Sequence, residues 1–391
     1  MTLIPGSRTL AAALCACALL LGVLMLPAGS QVARAKGDGP GHGPKPNQEL
    51  QVLTPVSYKN LTIFPVRGPD RAGSDAYITL DEGTKAGTVV ITEKGGGAQA
   101  AQAPSRRSRP ANARQQNVAY SGGGASVNEL ALVNRSGKKL LMLAGEVIVG
   151  GKQDRIVQED RLIPPVSVPV ALSVFCVEHG RWSARNASHN SGGGSAPAQA
   201  PVAASAPDDG KFSSLGAVAH PKLRAAAQDK KVQGEVWKEV SANNVKLGTA
   251  NSTDTYQEVY ASKRVGAQMD DYLRALQSEV LQPGVVGVIV ARNGKVVWSD
   301  VFASRRLFAS YWPKLLKSYA VDALGDNTSE ERASMDAARR YLSDHVGNVS
   351  TTTQEGVYQL VKIEQPSYAI FDLRDTSLAV PLSVHWNKMN R

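Results

Sequence analysis

Cysteine is scarce in this chain: Cys15, Cys17 and Cys176 are the only three in 391 residues. The first two sit inside an N-terminal apolar run, so a single thiol remains beyond it. One thiol forms no intramolecular disulfide, and the fold must be held by burial alone. After Leu26 no apolar run is long enough to cross a bilayer, so no membrane span is expected once the leader is removed. The common catalytic signatures are missing as well: no G-x-S-x-G elbow, no H-E-x-x-H and no G-x-G-x-x-G after a strand. Gly145 to Lys152 resembles a phosphate loop, but it is one residue too long and Gln153 stands where Ser or Thr is required. His42, His179, His189, His220, His345 and His385 are scattered, so neither a metal site nor a cofactor is expected. No internal repeat is visible.

Other features are present and specific. Arg8, the 17-residue apolar run Leu10 to Leu26 and the Ala33-Arg34-Ala35 site read as a cleaved signal peptide over residues 1–35. The expectation is an exported protein, periplasmic or extracellular, beginning near Lys36; the alternative is an uncleaved N-terminal anchor. The formal charge is +10, falling to +8 without Arg8 and Arg34. Five further cations (Lys94, Arg106, Arg107, Arg109, Arg114) lie in the acid-free stretch 94–126, leaving about +3 elsewhere. That stretch has too few large apolar groups to fold and reads as a disordered insert. A nucleic-acid footprint needs clustered charge on an ordered face, so nucleic acid is not an expected partner.

The organisation follows from local pattern. Residues 36–47 form a Gly/Pro-rich flexible lead-in. Residues 48–188 are β-rich, with strands expected at Leu61–Val66, Ala76–Leu80, Thr88–Thr92, Glu129–Asn134, Lys139–Leu143, Glu146–Val149, Arg155–Val157 and Val168–Glu178. Short strands with Gly and Pro punctuation argue for an antiparallel sandwich or barrel. A low-complexity linker at 189–210 separates them from a mixed helical and strand region, 211–391, packed on the first. There, Val265, Met269, Tyr272, Leu273, Leu276 and Val280 recur at helical spacing after a capping region at Asn251–Asp254. Asn293-Gly294 marks a type I′ hairpin, and Leu307–Leu324 reads as a helix with Pro313 at its start or at a kink. Thr328 and Glu331 fit a capping box opening a further helix to His345, and three strands follow by Trp386. The fold class is α+β.

The polar residues cluster. Glu146, Lys152, Gln153, Asp154 and Arg155 fall within ten positions among apolar strands, and Glu178, Arg181 and Trp182 follow the next long strand. Strand-embedded charges imply ion pairs or a lined pocket. In the pocket reading Lys152, Gln153, Arg155 and Arg181 hold an anion and Trp182 stacks on a ring. Glu146 and Glu178 are candidates for an acid–base pair of a glycosidic or ester hydrolase. Cys176 is a candidate nucleophile or a buried small hydrophobe; His179 points to the opposite strand face and cannot serve it as base.

The runs GEVIVGGKQDRIV (Gly145–Val157), Leu162-Ile163-Pro164-Pro165 and CVEHGRW (Cys176–Trp182) resemble a bacterial and archaeal domain family of unknown function. That family is named for association with ADP-ribosylglycohydrolase and rhodanese-phosphatase superfamily proteins. Weaker similarity extends from Asn60–Pro65 through Gln233–Trp237 to the 285–320 region. The resemblance implies a shared site at Glu146, Lys152, Gln153, Arg155, Cys176, Glu178, Arg181 and Trp182, and implies no reaction. The reading is a binding or interaction module for an anionic small molecule. Its alternatives are the hydrolase and a purely structural ion network beside a helical partner-binding surface.

Overall fold

The computed structural model describes the backbone of residues 33–42, and residues 49–71, 73–94, 128–180, 211–326, 329 and 331–391 in full. Residues 1–32, nearly all of the basic insert, Arg181, Trp182 and the 189–210 stretch lie outside the described residues. In chain order the first elements are strands β1 (Ala33–His42), β2 (Gln51–Val52), β3 (Val56–Tyr58), β4 (Leu61–Arg67) and β5 (Tyr77–Thr79). Helix α1 (Leu80–Lys85) and strands β6 (Val89–Glu93), β7 (Glu129–Asn134), β8 (Lys139–Met142) and β9 (Glu146–Gly150) follow. Next come β10 (Arg155–Val157), β11 (Arg161–Ile163), β12 (Val166–Cys176) and β13 (Lys211–Val218). Helices α2 (Pro221–Ala225), α3 (Gln233–Leu247), α4 (Glu258–Ala261) and α5 (Lys263–Val280) precede the hairpin β14 (Val285–Arg292) and β15 (Lys295–Phe302). The last elements are α6 (Arg305–Ala323), α7 (Met335–Ser343), β16 (Val346–Gln354), β17 (Tyr358–Glu364), β18 (Tyr368–Asp375) and β19 (Leu382–Asn390).

Three sheets result, and the fold is α+β. A ten-stranded antiparallel sheet runs β1-β16-β17-β18-β19-β15-β14-β4-β2, with β3 also on β4. Strands β10, β12, β7, β6, β13 and β9 close a six-stranded barrel, and β11-β8-β5 form a small third sheet. One face of the large sheet packs on α5 and α6 through Val288, Val290, Trp298, Phe302, Tyr311, Trp312 and Leu315. Its other face is covered in part by α7, through Ala338 and Leu342 against Ile289, Ile363 and Trp386. The barrel is filled by its own side chains, among them Ile91, Leu130, Leu132, Ile148, Val157, Leu172 and Val174.

Helix α5 buries Val265, Met269, Tyr272, Leu276 and Val280 of the stripe its spacing predicts, while Leu273 is only half-buried at its margin. Asn293 and Gly294 both have positive φ (48° and 74°), as a two-residue type I′ turn demands. Other expectations shift. The cap of α5 is Ser262, whose hydroxyl accepts from Val265 N, because Asn251–Asp254 instead turns against the end of β12. The cap of α7 is Ser334, six residues after the expected Thr328, which lies outside the described residues. Pro313 lies inside α6, which begins under a Ser304 cap. The expected strand Ala76–Leu80 ends at Thr79, whose side chain forms a capping box with Glu82 and starts α1. Of the lead-in, residues 36–42 belong to β1, paired along β16, where Pro40 is tolerated as an edge residue. The chain crosses the 189–210 stretch without changing body: β13 closes the barrel begun by β6, and β4 lies beside β14 in one sheet.

Candidate functional site

The sequence-predicted cluster lies at one mouth of the barrel. Side chains alternate along a strand, so residues two apart from a barrel-core residue also face the interior. Val157 and Val174 are core, which turns Arg155 and Cys176 inward one step nearer the mouth, directly opposite each other in register. Ile91 does the same for Glu93 on β6. Glu93 carried no motif, and only strand parity in a correctly placed β6 points to it.

The mouth is knit by short polar contacts. Cys176 Sγ donates to Gln153 Oε1 at 3.0 Å, and Gln153 Nε2 donates to the Glu178 carbonyl at 2.9 Å. Asp154 N donates to Glu178 Oε2 at 3.1 Å, while Thr255 Oγ1 donates to Asp154 Oδ2 at 3.2 Å. Gln233 of α3 acts as a surrogate strand neighbour, accepting from Cys176 N at 3.0 Å and donating to its carbonyl at 2.9 Å. Lys152 N donates to Glu93 Oε1 at 3.2 Å.

Arg155 differs from the rest. Its side chain is 1% exposed, Nη1 reaches only the Asp154 carbonyl at 3.3 Å, and Nε has no hydrogen-bond partner. Among the described residues no carboxylate comes within ion-pair distance of it. A buried guanidinium without an acidic partner is costly, and neither Glu93 nor Glu178 makes an ion pair with it. The same groups act on Cys176, whose thiol is pushed up to about 11 by burial, with Arg155 pulling it down and Glu93 and Glu178 adding to the rise. A buried thiol that donates to Gln153 is not a thiolate at neutral pH, and His179 packs edge-on against Trp237, 4.4 Å between centroids, on α3.

Glu146 belongs to a different cluster. Its oxygens accept from Leu143 N at 2.8 Å and from Lys314 Nζ, which also donates to Asp81 at 2.8 Å and stands 4.4 Å from the Tyr311 ring centre. Burial and the Asp81 charge raise Glu146 against the opposing pull of Lys314. Lys314 is raised in spite of burial, by Glu146 and Asp81. By strand register Glu146 lies level with Val157 and Glu178 four steps past Val174, about 13 Å further along the barrel. Their carboxyls belong to separate polar clusters, Glu146 with Lys314 and the Leu143 amide, Glu178 with the Asp154 amide.

The densest ion network in the described residues was not marked by any motif. Arg224 of α2 grips Asp300 of β15 with two bonds of 2.9 Å, and its guanidinium lies 4.6 Å from the Trp298 ring centre. Trp298 Nε1 (2.8 Å), Tyr319 Oη and His385 Nε2 (3.0 Å) also meet Asp300. His385 Nδ1 contacts Asp160 at 2.7 Å, and Asp160 accepts from Asn387 Nδ2 at 3.0 Å and Ala144 N at 2.7 Å. Burial alone would lower His385, but flanking Asp160 and Asp300 raise it to about 9, so it is an imidazolium donating from both nitrogens. Burial would raise Asp300, yet Arg224 and His385 hold it far below the usual carboxylate range. Every member is fully enclosed, which makes the network a structural tie between barrel, α2 and large sheet. Asp300 between Trp298 and Phe302, on the core-facing parity of β15, is the sequence signal that exposes it.

Residues 49–374 match the ARG and Rhodanese-Phosphatase-superfamily-associated Protein domain, ARPP-1. The chain belongs to that family. No curated protein and no solved structure matches it. The ARPP-1 match contains Arg224, Asp160 and Asp300 but stops before β19, so His385 and Asn387 join the network from beyond it. It contains the whole barrel mouth.

Proposed function

We propose that this ARPP-1 protein is a binding module that takes an anionic small ligand, of the sugar-phosphate or nucleotide type, at the barrel mouth. The supporting observation is Arg155: a guanidinium at 1% exposure, on the interior strand face, with an unpartnered Nε and no acid in ion-pair reach among the described residues. A ligand oxyanion supplies the missing partner, in a two-pronged geometry suited to arginine. The thiol-protonated Cys176 and the separated Glu146 and Glu178 favour binding over hydrolysis. We further propose that the module works outside the cytoplasm; the support is the sequence leader, and N-terminal sequencing of the mature protein for a start at Lys36 tests it.

Thermal shift of the full chain against ADP-ribose, NAD, sugar phosphates and inorganic oxyanions tests the site. At ~100 times its dissociation constant a ligand adds about 2.7 kcal/mol. Arg155→Met is expected to fold with unchanged or raised stability, since an apolar replacement removes an uncompensated buried charge, and to lose the ligand response. A panel without a hit, a hit that survives Arg155→Met, or a variant destabilised by 3–5 kcal/mol as for a broken ion pair, sinks the proposal.

A further inference from the structure

The α7 face of the large sheet is only partly covered. Helix α7 spans nine residues, and beside it the sheet floor opens into a cleft of about 830 Å3. That is the size of a small-molecule site. Its floor and walls are apolar: Val286, Val301, Leu378, Leu382 and Trp386, with Phe302 at the edge. Apart from Arg71, which pairs with Glu49, its charged groups converge at one place. Asp372, nearly buried in the floor, accepts from Ser383 Oγ at 2.6 Å on one oxygen and from Arg374 Nε at 2.7 Å on the other. Both carboxylate oxygens are thereby occupied, and the Arg374 guanidinium is fixed by its Nε edge. Its two terminal nitrogens have no protein acceptor among the described residues and remain for an incoming group.

We propose that this cleft is a second binding site, separate from the barrel mouth, for an organic anion that joins a carboxylate or sulfonate-like head to a flat apolar body. The head pairs with the terminal nitrogens of Arg374, where a guanidinium fork matches two oxygens. The body lies on Trp386, Val301 and Leu382, displacing water from apolar wall. Asp372 does not repel the head, because its charge is already spent on Arg374 and Ser383. The site does not depend on Arg155.

The probe is 1-anilinonaphthalene-8-sulfonate, titrated into the full chain under native conditions and read by its emission. One saturable site is expected, weakened about tenfold or more in Arg374→Gln, the loss of a charge-assisted contact. Leu378→Trp, which fills the cleft without touching the Arg374–Asp372 pair, is expected to abolish binding, and Arg155→Met to leave it unchanged. The uncharged N-phenyl-1-naphthylamine should bind the wild type and Arg374→Gln alike. Should Arg374→Gln unfold, Leu378→Trp still decides. No saturable binding, sulfonate affinity equal in wild type and a folded Arg374→Gln, or binding that persists in Leu378→Trp overturns the proposal.

Discussion

Cys176 shows how a residue that looks reactive in sequence is disarmed by its neighbours. Its backbone is held by Gln233, its thiol donates to Gln153, and burial together with Glu93 and Glu178 pushes it up to about 11. Only the thiolate is nucleophilic. Labelling of the folded protein by a maleimide at pH 7.5 is therefore expected to be as slow as opening of the barrel mouth, and to become rapid in denaturant. Fast labelling of native protein would contradict that picture. Arg155 shows the converse: a residue that sequence grouped with Lys152 and Gln153 stands apart once burial and missing partners are known. Gln153, Arg155, Cys176 and Glu178, which the motif reading grouped, lie together at the barrel mouth. Glu146 lies instead with Lys314 and Asp81, since adjacency on β9 does not reveal which way along the barrel a side chain lies.

Elements were legible where local chemistry decides them. The β14–β15 hairpin is one, because Asn-Gly adopts positive φ at both central positions at little cost. Gly294→Ala is expected to cost about 1–2 kcal/mol by chemical denaturation: a left-handed penalty, plus a Cβ that would meet Glu331 Cβ at 2.8 Å. A loss below the error of the measurement would mean that the turn relaxes. Strand β7 and helix α5 were legible for similar reasons, by parity in one and an apolar stripe in the other. Helix α3 was not. Its buried face mixes Val236, Val240 and Leu247 with Asn243 and Asn244, so no apolar period stands out. Strand β16, VGNVSTTTQ, is half-exposed and polar, and is a strand because β17 and β1 pair with it.

At the scale of the molecule, the Asp160–His385–Asp300–Arg224 chain ties barrel to sheet, and it makes stability depend on pH. His385 titrates at about 9 in the fold against an ordinary 6.5, so the folded chain holds a proton that the unfolded chain releases between these values. Stability from this group is complete below pH 6.5 and is lost as pH rises through 9. Lys388, pushed down to about 8 chiefly by burial, acts in the opposite sense above pH 8. Between pH 6.5 and 8 a fall of up to about 2 kcal/mol is therefore expected in urea denaturation. Asp300→Asn should lower stability by about 3–5 kcal/mol, because it leaves Arg224 buried without its counter-ion, and should flatten that slope. A pH-independent wild type would remove His385 from its assigned role.

The features legible in the sequence are local or compositional: the N-terminal apolar run, the α+β class, the short strands around 129–157, the helix stripe and the Asn-Gly turn. Each depends on contacts within a few residues, which period and propensity encode directly. Three long-range outcomes belong to the packed chain: β13 returns to close the barrel, Glu93 shares a mouth with Arg155, and His385 lies between two aspartates more than 80 residues away in each case. Those pairings are set by burial across long loops, where any charged residue on a core-facing strand position competes for partners. The chain order alone does not say which partner wins.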